Sequence, residues 1–264
     1  ELAALLMDRG ADVHVVSKNG YHALLFAAQK GDVESVRRLL AAKVDPQFKA
    51  PDGSTAFLIS LSRGHDSVAR LMLEHGAQVN SRDRNGGTPL HEAVRQGKVD
   101  LVRDLVARGA DLTARTGRPP GSATPYRNAG GLTPFMTAAS SGNVEMMKEL
   151  IRLGADPKAQ TPEGAGGVML AVGSRKLEAV KMMVELGADV NEGPKGGGSA
   201  LHTATQLGAE DIIIYLAEHG ADFTARDRFG RTPLEEAEFE APKPIIALLR
   251  KLTAEAAARP QKSK

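Results

Sequence analysis

One glycine recurs along this chain at a fixed step. It stands at Gly20, Gly53, Gly86, Gly131, Gly164, Gly197 and Gly230, and the intervals are 33, 33, 45, 33, 33 and 33 residues. A period of this length means an array of small units, each unable to bury its own apolar face and each stacked on the next. That overrides the one or two globular domains that a length of 264 residues would otherwise suggest.

The unit is cleanest between Asp83 and Arg115. Asn85-Gly86-Gly87 makes a turn. Thr88 is placed to cap a helix with its hydroxyl, and Pro89 stands at the first helical position, where its missing N–H is not needed. An apolar helix is predicted over Leu90–Arg95, then an amphipathic one carrying Val99, Val102, Leu105 and Val106. Gly97 and Gly109 stand where those helices stop and the chain needs positive φ. The run Thr88-Pro89-Leu90-His91-Glu92-Ala93, with the later Arg108-Gly109-Ala110-Asp111, resembles the ankyrin repeat family. The resemblance spans roughly residues 2–252. It implies an all-α solenoid of stacked helix-turn-helix units with β-hairpin fingers, forming a single elongated domain. The simple repeats, the absence of Cys and the irregular insertion look more like bacterial members than animal cytoskeletal ones.

Residues 1–18 read as a partial repeat. They begin in a second-helix pattern at Leu2, Leu5 and Leu6, with no first helix to cover it. The chain is therefore expected to be a fragment or a processed product, with these leucines frayed or sticky. Full repeats follow at about 19–50, 51–82, 83–115, 130–160, 161–192, 193–226 and 227–252. In the first, His22-Ala23 replaces Thr-Pro and Lys43 replaces the Gly that ends the outer helix. A left-handed Lys is disfavoured by about 1–2 kcal/mol against Gly, so that turn is expected to take another conformation. The long interval places an insertion at 116–129, where Pro119, Pro120 and Pro125 exclude a regular helix and predict an extended finger or loop. In the fifth repeat Gly166-Gly167 replaces Thr-Pro and Arg175 replaces the interhelix Gly, so this repeat is expected to be the softest. Glu235, Glu236, Glu238 and Glu240 make the last repeat polar, as a terminal unit with one uncovered face requires. Residues 253–264 read as a frayed helix passing into a disordered tail.

Composition adds exclusions. There is no Cys, hence no disulfide, no Cys-ligated zinc and no thiolate chemistry. The net charge of +2 makes no global case for nucleic acid or membrane. No apolar run approaches the roughly 20 residues that span a bilayer. A soluble chain is expected, with the cytoplasm favoured and export left open.

Residues that could carry chemistry fall mostly in slots of the repeat. His91 and His202 share one slot, where the resemblance implies a structural imidazole bonded near the turn. His75 and His219 share another, just before a helix-ending Gly, where a cation suits the helix dipole. No two His have the i, i+4 spacing of a zinc helix. Asp12, Asp45, Asp111, Asp156, Asp189 and Asp222 recur after each second helix and read as turn formers rather than acids of catalysis. The Glu cluster at 235–240 reads as a solvated cap, and Gly193–Ser199 as a flexible hairpin without Walker spacing. No catalytic, cofactor or metal residues are assigned, and enzymatic activity is not expected.

In proteins of the resembled family, the hairpin tips and inner-helix ends line a concave binding surface. Mapped onto this chain and cleared of residues the fold needs, that surface offers Tyr21, Lys30, Lys49, Arg63, Arg82, Arg84, Asn85, Arg95, Gln96 and Arg115 over the first three repeats. Tyr126 on the insertion and Phe229 at the last hairpin add exposed anchors. Lys30, Lys49, Arg63, Arg82, Arg84, Arg95 and Arg115 stand against Asp52 alone, so a basic groove steering an acidic protein partner is expected. Phe57, Phe135 and Phe223 occupy apolar slots and are expected in the core. The reading is thus a monomeric, non-enzymatic protein-interaction scaffold with no small-molecule substrate. The alternatives are a targeting or regulatory arm of a larger enzyme or receptor, and nonspecific nucleic-acid binding, which the scarcity of stacking aromatics disfavours.

Overall fold

The computed structural model describes residues 8–117, 130–194 and 197–258. The expectations for Leu2, Leu5 and Leu6, for the insertion from 118 to 129 with its prolines and Tyr126, and for 259–264 lie outside the described residues. Contacts divide the chain into two compact units, Glu1–Ala123 and Thr124–Lys264.

The N-terminal unit holds α1 (Ala23–Lys30), α2 (Val33–Ala41), α3 (Ala56–Ser62), α4 (Asp66–Glu74), α5 (Pro89–Arg95) and α6 (Val99–Ala107). The C-terminal unit holds α7 (Pro134–Ser141), α8 (Val144–Arg152), α9 (Gly167–Gly173), α10 (Leu177–Glu185), α11 (Ala200–Leu207), α12 (Glu210–Glu218), α13 (Pro233–Glu240) and α14 (Lys243–Ala258). Odd-numbered helices are the inner ones. Within each unit, every inner helix packs on its own outer helix and on the inner helix of the next repeat. This is the helix-turn-helix solenoid that the period predicts. No strand forms among the described residues. The fingers are tight turns, two of them carrying an isolated antiparallel bridge, Val16–His22 and Lys49–Thr55.

The helices begin where the capping chemistry puts them. Thr55, Thr88, Thr133, Ser199 and Thr232 each accept a backbone N–H from the first turn of α3, α5, α7, α11 and α13. Pro89, Pro134 and Pro233 follow three of these caps. The apolar slots then go inward: Phe57, Phe135 and Phe223 are all buried, as predicted. Gly97 and Gly109 take φ of 71° and 87°, the left-handed values their positions require. Each of the six recurring aspartates accepts the backbone N–H two residues on, for example Thr113 to Asp111 at 2.8 Å and Asn191 to Asp189 at 2.9 Å. Two asparagines fasten successive repeats. Asn80 donates to Gly109 O and accepts from Asp111 N, both at 2.9 Å. Asn191 does the same with Gly220 O and Asp222 N.

Three expectations are corrected. Lys43 takes φ of 63° after all. Its N–H donates to Leu40 O at 2.9 Å and Val44 N–H to Leu39 O at 3.1 Å. That pair of bonds closes the helix only if the residue between is left-handed, and it offsets the local strain. Arg175 is left-handed too, at 61°, and its guanidinium reaches the Leu207 carbonyl of the next repeat. The Glu cluster is not wholly solvated: Glu236 is buried, with Gln206 donating to its Oε1 at 2.8 Å. Finally, α14 continues through Thr253 to Ala258, because an Ala-rich segment is a strong helix former.

The two repeats with irregular caps are each repaired by a residue 26 positions on, at the end of the same repeat. His22 caps α1 through Nδ1, which accepts Leu24 N–H at 3.2 Å. Its ring lies 4.0 Å from that of Phe48, which stands 26 positions on. Burial pushes the His22 pKa below its usual 6.5. At Gly166, which supplies no side-chain cap for α9, the same offset of 26 positions brings Glu192. The Glu192 carboxylate fills the space a Cβ at Gly166 would need, and the Met183 methyl fills that at Gly167. Burial, aided by Asp189, raises the Glu192 pKa above its usual 4.5.

Two predictions follow from these pairs. Replacing Gly166 by Thr alone forces the new side chain against Glu192, whereas Gly166→Thr with Glu192→Ala restores a capped start and should stabilise by about 1 kcal/mol; urea unfolding of the four-member cycle will show that the two changes are not additive. For His22, the unfolded chain binds more protons than the folded one below about pH 6.5, so this residue's stabilising effect is lost as pH falls. The Tm difference between the wild type and His22→Thr should therefore shift in favour of the variant between neutral pH and about pH 5.

Candidate functional site

The N-terminal unit carries a groove of about 440 Å³ that crosses its first three repeats. The turns at Gly20, Gly53 and Gly86 contribute Tyr21, Ser54, Arg84 and Asn85 to its lining. Gln29 at the end of α1, Ser62 and Arg63 at the end of α3, and Glu92 and Arg95 on α5 add to it. Leu58 and Ile59, both half-buried on α3, line it as well. The site is therefore an apolar strip flanked by hydroxyls, amides and guanidinium groups.

Five of the residues singled out from the sequence line this groove: Tyr21, Arg63, Arg84, Asn85 and Arg95. The others are placed elsewhere. Lys30 lines a second, apolar cavity of about 420 Å³ with Phe26, Val13 and Leu39. Lys49 is exposed, its stem passing close to Gly53. Arg82 ties two fingers together, donating to Arg115 O at 2.8 Å and Gly86 O at 3.3 Å. Arg115 is exposed and takes part through that carbonyl. Gln96 is a brace, because its amide donates both to Leu61 O and to Glu92 Oε1. Tyr126 lies outside the described residues. Phe229 belongs to the C-terminal unit and is 64% exposed.

Sequence reasoning set Asp52 alone against the cations, and missed Asp83, Glu92 and the apolar pair Leu58 and Ile59. The groove is lined by Asp52, Asp83 and Glu92 as well as by Arg63, Arg84 and Arg95. The three carboxylates are each engaged. Asp83 Oδ1 accepts the N–H groups of Asn85 and Gly87, both at 2.8 Å. Asp52 accepts the Tyr21 hydroxyl and Ser54 N–H. That phenol bond lowers the Asp52 pKa and raises that of Tyr21. Glu92 pairs with Arg95. Arg63 and Arg84 form no ion pair among the described residues, and both are exposed. A signal for Glu92 was present in the sequence: it stands three residues before Arg95 and four before Gln96 on a helix, the spacing at which side chains meet.

Outside the groove, four imidazoles bond within the fold. His91 and His202 are buried, and their Nδ1 atoms face the caps Thr88 and Ser199 at 2.8 and 2.9 Å. His75 and His219 bond the carbonyls of Leu71 and Tyr215, one turn back. Among the described residues no three His, Cys, Asp or Glu side chains are grouped to hold a metal ion, and no helix is long and apolar enough to cross a membrane.

A family model described as ankyrin repeats, in three copies, matches residues 1–83, 24–116, 135–227 and 168–258. An ankyrin repeat-containing protein of Treponema pallidum is 38% identical over 87 residues, which is 33% of this chain and 29% of that protein. Serine/threonine-protein kinase 12 of Arabidopsis thaliana is 30% identical over 82 residues, 31% of this chain and 18% of the kinase. These curated relatives are thus matched over less than a third of their own length. The human ASB11 ankyrin repeat domain superposes with a TM-score of 0.70 at 24% identity, covering 87% of this chain and 97% of that one, a likeness of fold.

The brace and the open groove residues should separate by experiment. Gln96→Ala removes one hydrogen bond between repeats and one within its own repeat, and should lower stability by about 1–2 kcal/mol in urea unfolding. Arg84→Ala, which breaks no bond of the fold, should stay within about 0.5 kcal/mol of the wild type.

Proposed function

The chain belongs to the ankyrin-repeat family, and on that premise we propose that it is a non-enzymatic scaffold that binds another protein through the groove of its N-terminal unit. Ankyrin repeats are protein–protein interaction modules. The observation that carries the reading is the pair Arg63 and Arg84: two exposed guanidinium groups with no ion pair among the described residues, lining the groove with Leu58 and Ile59. Guanidinium groups in that state bind carboxylates in bidentate fashion, while the apolar strip gains from excluding water. The partner is therefore an acidic segment with apolar side chains, and Tyr21, Ser54 and Asn85 supply hydrogen bonds at the rim. The engaged carboxylates Asp52, Asp83 and Glu92 count against a polyanion such as nucleic acid, which needs a groove of one sign.

The length of the relatives favours a second reading beside the first. This array corresponds to a small share of a kinase, so it serves equally as the targeting or regulatory arm of a longer protein. In that case the groove holds another part of the same assembly.

The test is a double charge reversal. Arg63→Glu with Arg84→Glu should weaken capture of the partner isolated with the wild-type chain by about tenfold or more. The Tm should move by no more than about 2 °C, since neither side chain bonds within the fold. Undiminished capture would remove the groove from the reading, and tight binding of duplex DNA at low salt would replace it.

A further inference from the structure

The last repeat presents a second surface, built on different chemistry. Phe229 at the tip before α13 is 64% exposed, and Phe239 near the end of α13 is 76% exposed. Single exposed apolar residues are ordinary, but a contiguous apolar patch is not. These two rings are joined by one guanidinium. The Arg231 Cζ lies 4.8 Å from the centre of the Phe229 ring and 5.7 Å from that of Phe239. Arg231 is itself pinned from below by Asp227 at 3.0 Å and by the buried Glu236 at 3.5 Å. Asp227 also accepts the N–H groups of Phe229 and Arg231 at 2.8 Å, which fixes the tip. The tip backbone and the Arg231 guanidinium are thus fixed before any partner arrives, which lowers the ordering entropy lost on contact.

The charges around the patch decide what fits it. Arg226 pairs with Glu235, Arg231 with Asp227 and Glu236, and Arg250 with Glu238. Arg228, stacked 4.7 Å from the Phe229 ring centre, forms no ion pair among the described residues. It is the one guanidinium here left to meet a carboxylate, and it lies against the apolar ring. With Glu235 and Glu238 paired to arginines and Glu240 on the same helix as Phe239, the surface carries no excess of positive charge to attract an extended polyanion.

We propose that Arg228, Phe229, Arg231 and Phe239 form a docking surface for a peptide segment in which an apolar side chain neighbours a single carboxylate. The apolar side chain packs between the two phenyl rings over Arg231, and the carboxylate pairs with Arg228. Rigid aromatic rings with an adjacent Arg have the composition that concentrates binding energy in protein interfaces.

The probe is a phage-displayed library of random dodecapeptides, selected on the full chain and scored on four versions of it: wild type, Phe239→Ala, Arg228→Glu, and the groove variant Arg63→Glu/Arg84→Glu. All substituted side chains are exposed, and matched Tm values will confirm that each version is folded. The expected result is an enriched class with an apolar residue beside Asp or Glu, weakened about tenfold or more by Phe239→Ala and by Arg228→Glu. That class should keep its affinity for the groove variant, which separates this surface from the one proposed above. The inference is overturned if no class is enriched, if every enriched peptide binds Phe239→Ala as well as the wild type, or if the sensitive class is basic. Binding of single-stranded poly-dT that Phe239→Ala abolishes would also overturn it, because the rings would then be stacking bases.

Discussion

The helices are too short to stand alone. Apart from α14, each runs to between seven and nine residues, whereas an isolated helix below about 12–15 residues is marginal in water. Each therefore depends on a capped start, a left-handed stop and an apolar face covered by its neighbours. The caps at Thr55, Thr88, Thr133, Ser199 and Thr232, the turn aspartates, and the bridging Asn80 and Asn191 all serve that dependence. So do Leu24, Leu90, Leu105 and Val168, which are almost wholly buried between helices.

Because the end of each repeat covers its own first cap, a repeat can lose part of its pattern. His22 with Phe48 and Gly166 with Glu192 show the same trade at the same offset: where the cap side chain changes, the residue that covers it changes in size. The second pair leaves a carboxylate half-buried with a raised pKa, a state a Thr cap covered by a small residue would avoid. Departures from the motif are thus matched to particular neighbours rather than being simple losses.

The proposed binding surfaces rest on the side chains that this network does not use. In the N-terminal unit the fold takes Gln96, Arg82 and Asp83, and leaves Arg63 and Arg84 beside Leu58 and Ile59. In the last repeat the fold takes Asp227 and Glu236 to hold Arg231, and leaves Arg228, Phe229 and Phe239. Both surfaces join an apolar element to a guanidinium with no ion pair among the described residues, yet they differ in build: one is a groove across repeats, the other two exposed rings about a shared Arg231.

The sequence by itself determined the repeat, its helices and its turns. Those follow from local chemistry: a hydroxyl before Pro, a Gly where φ must be positive, an Asp that bonds two residues on. It also placed Phe57, Phe135 and Phe223 in the core, because apolar periodicity records burial. What it could not determine was which polar side chains remain available. Gln96 and Arg82 looked open in the pattern, but their partners Leu61 O and Arg115 O come from other repeats and are backbone atoms, which carry no sequence signal. The burial of Glu236 was decided in the same way. Hydrogen bonds and contacts made across a repeat interface depend on distance in space, and only the tertiary structure brings those atoms within reach.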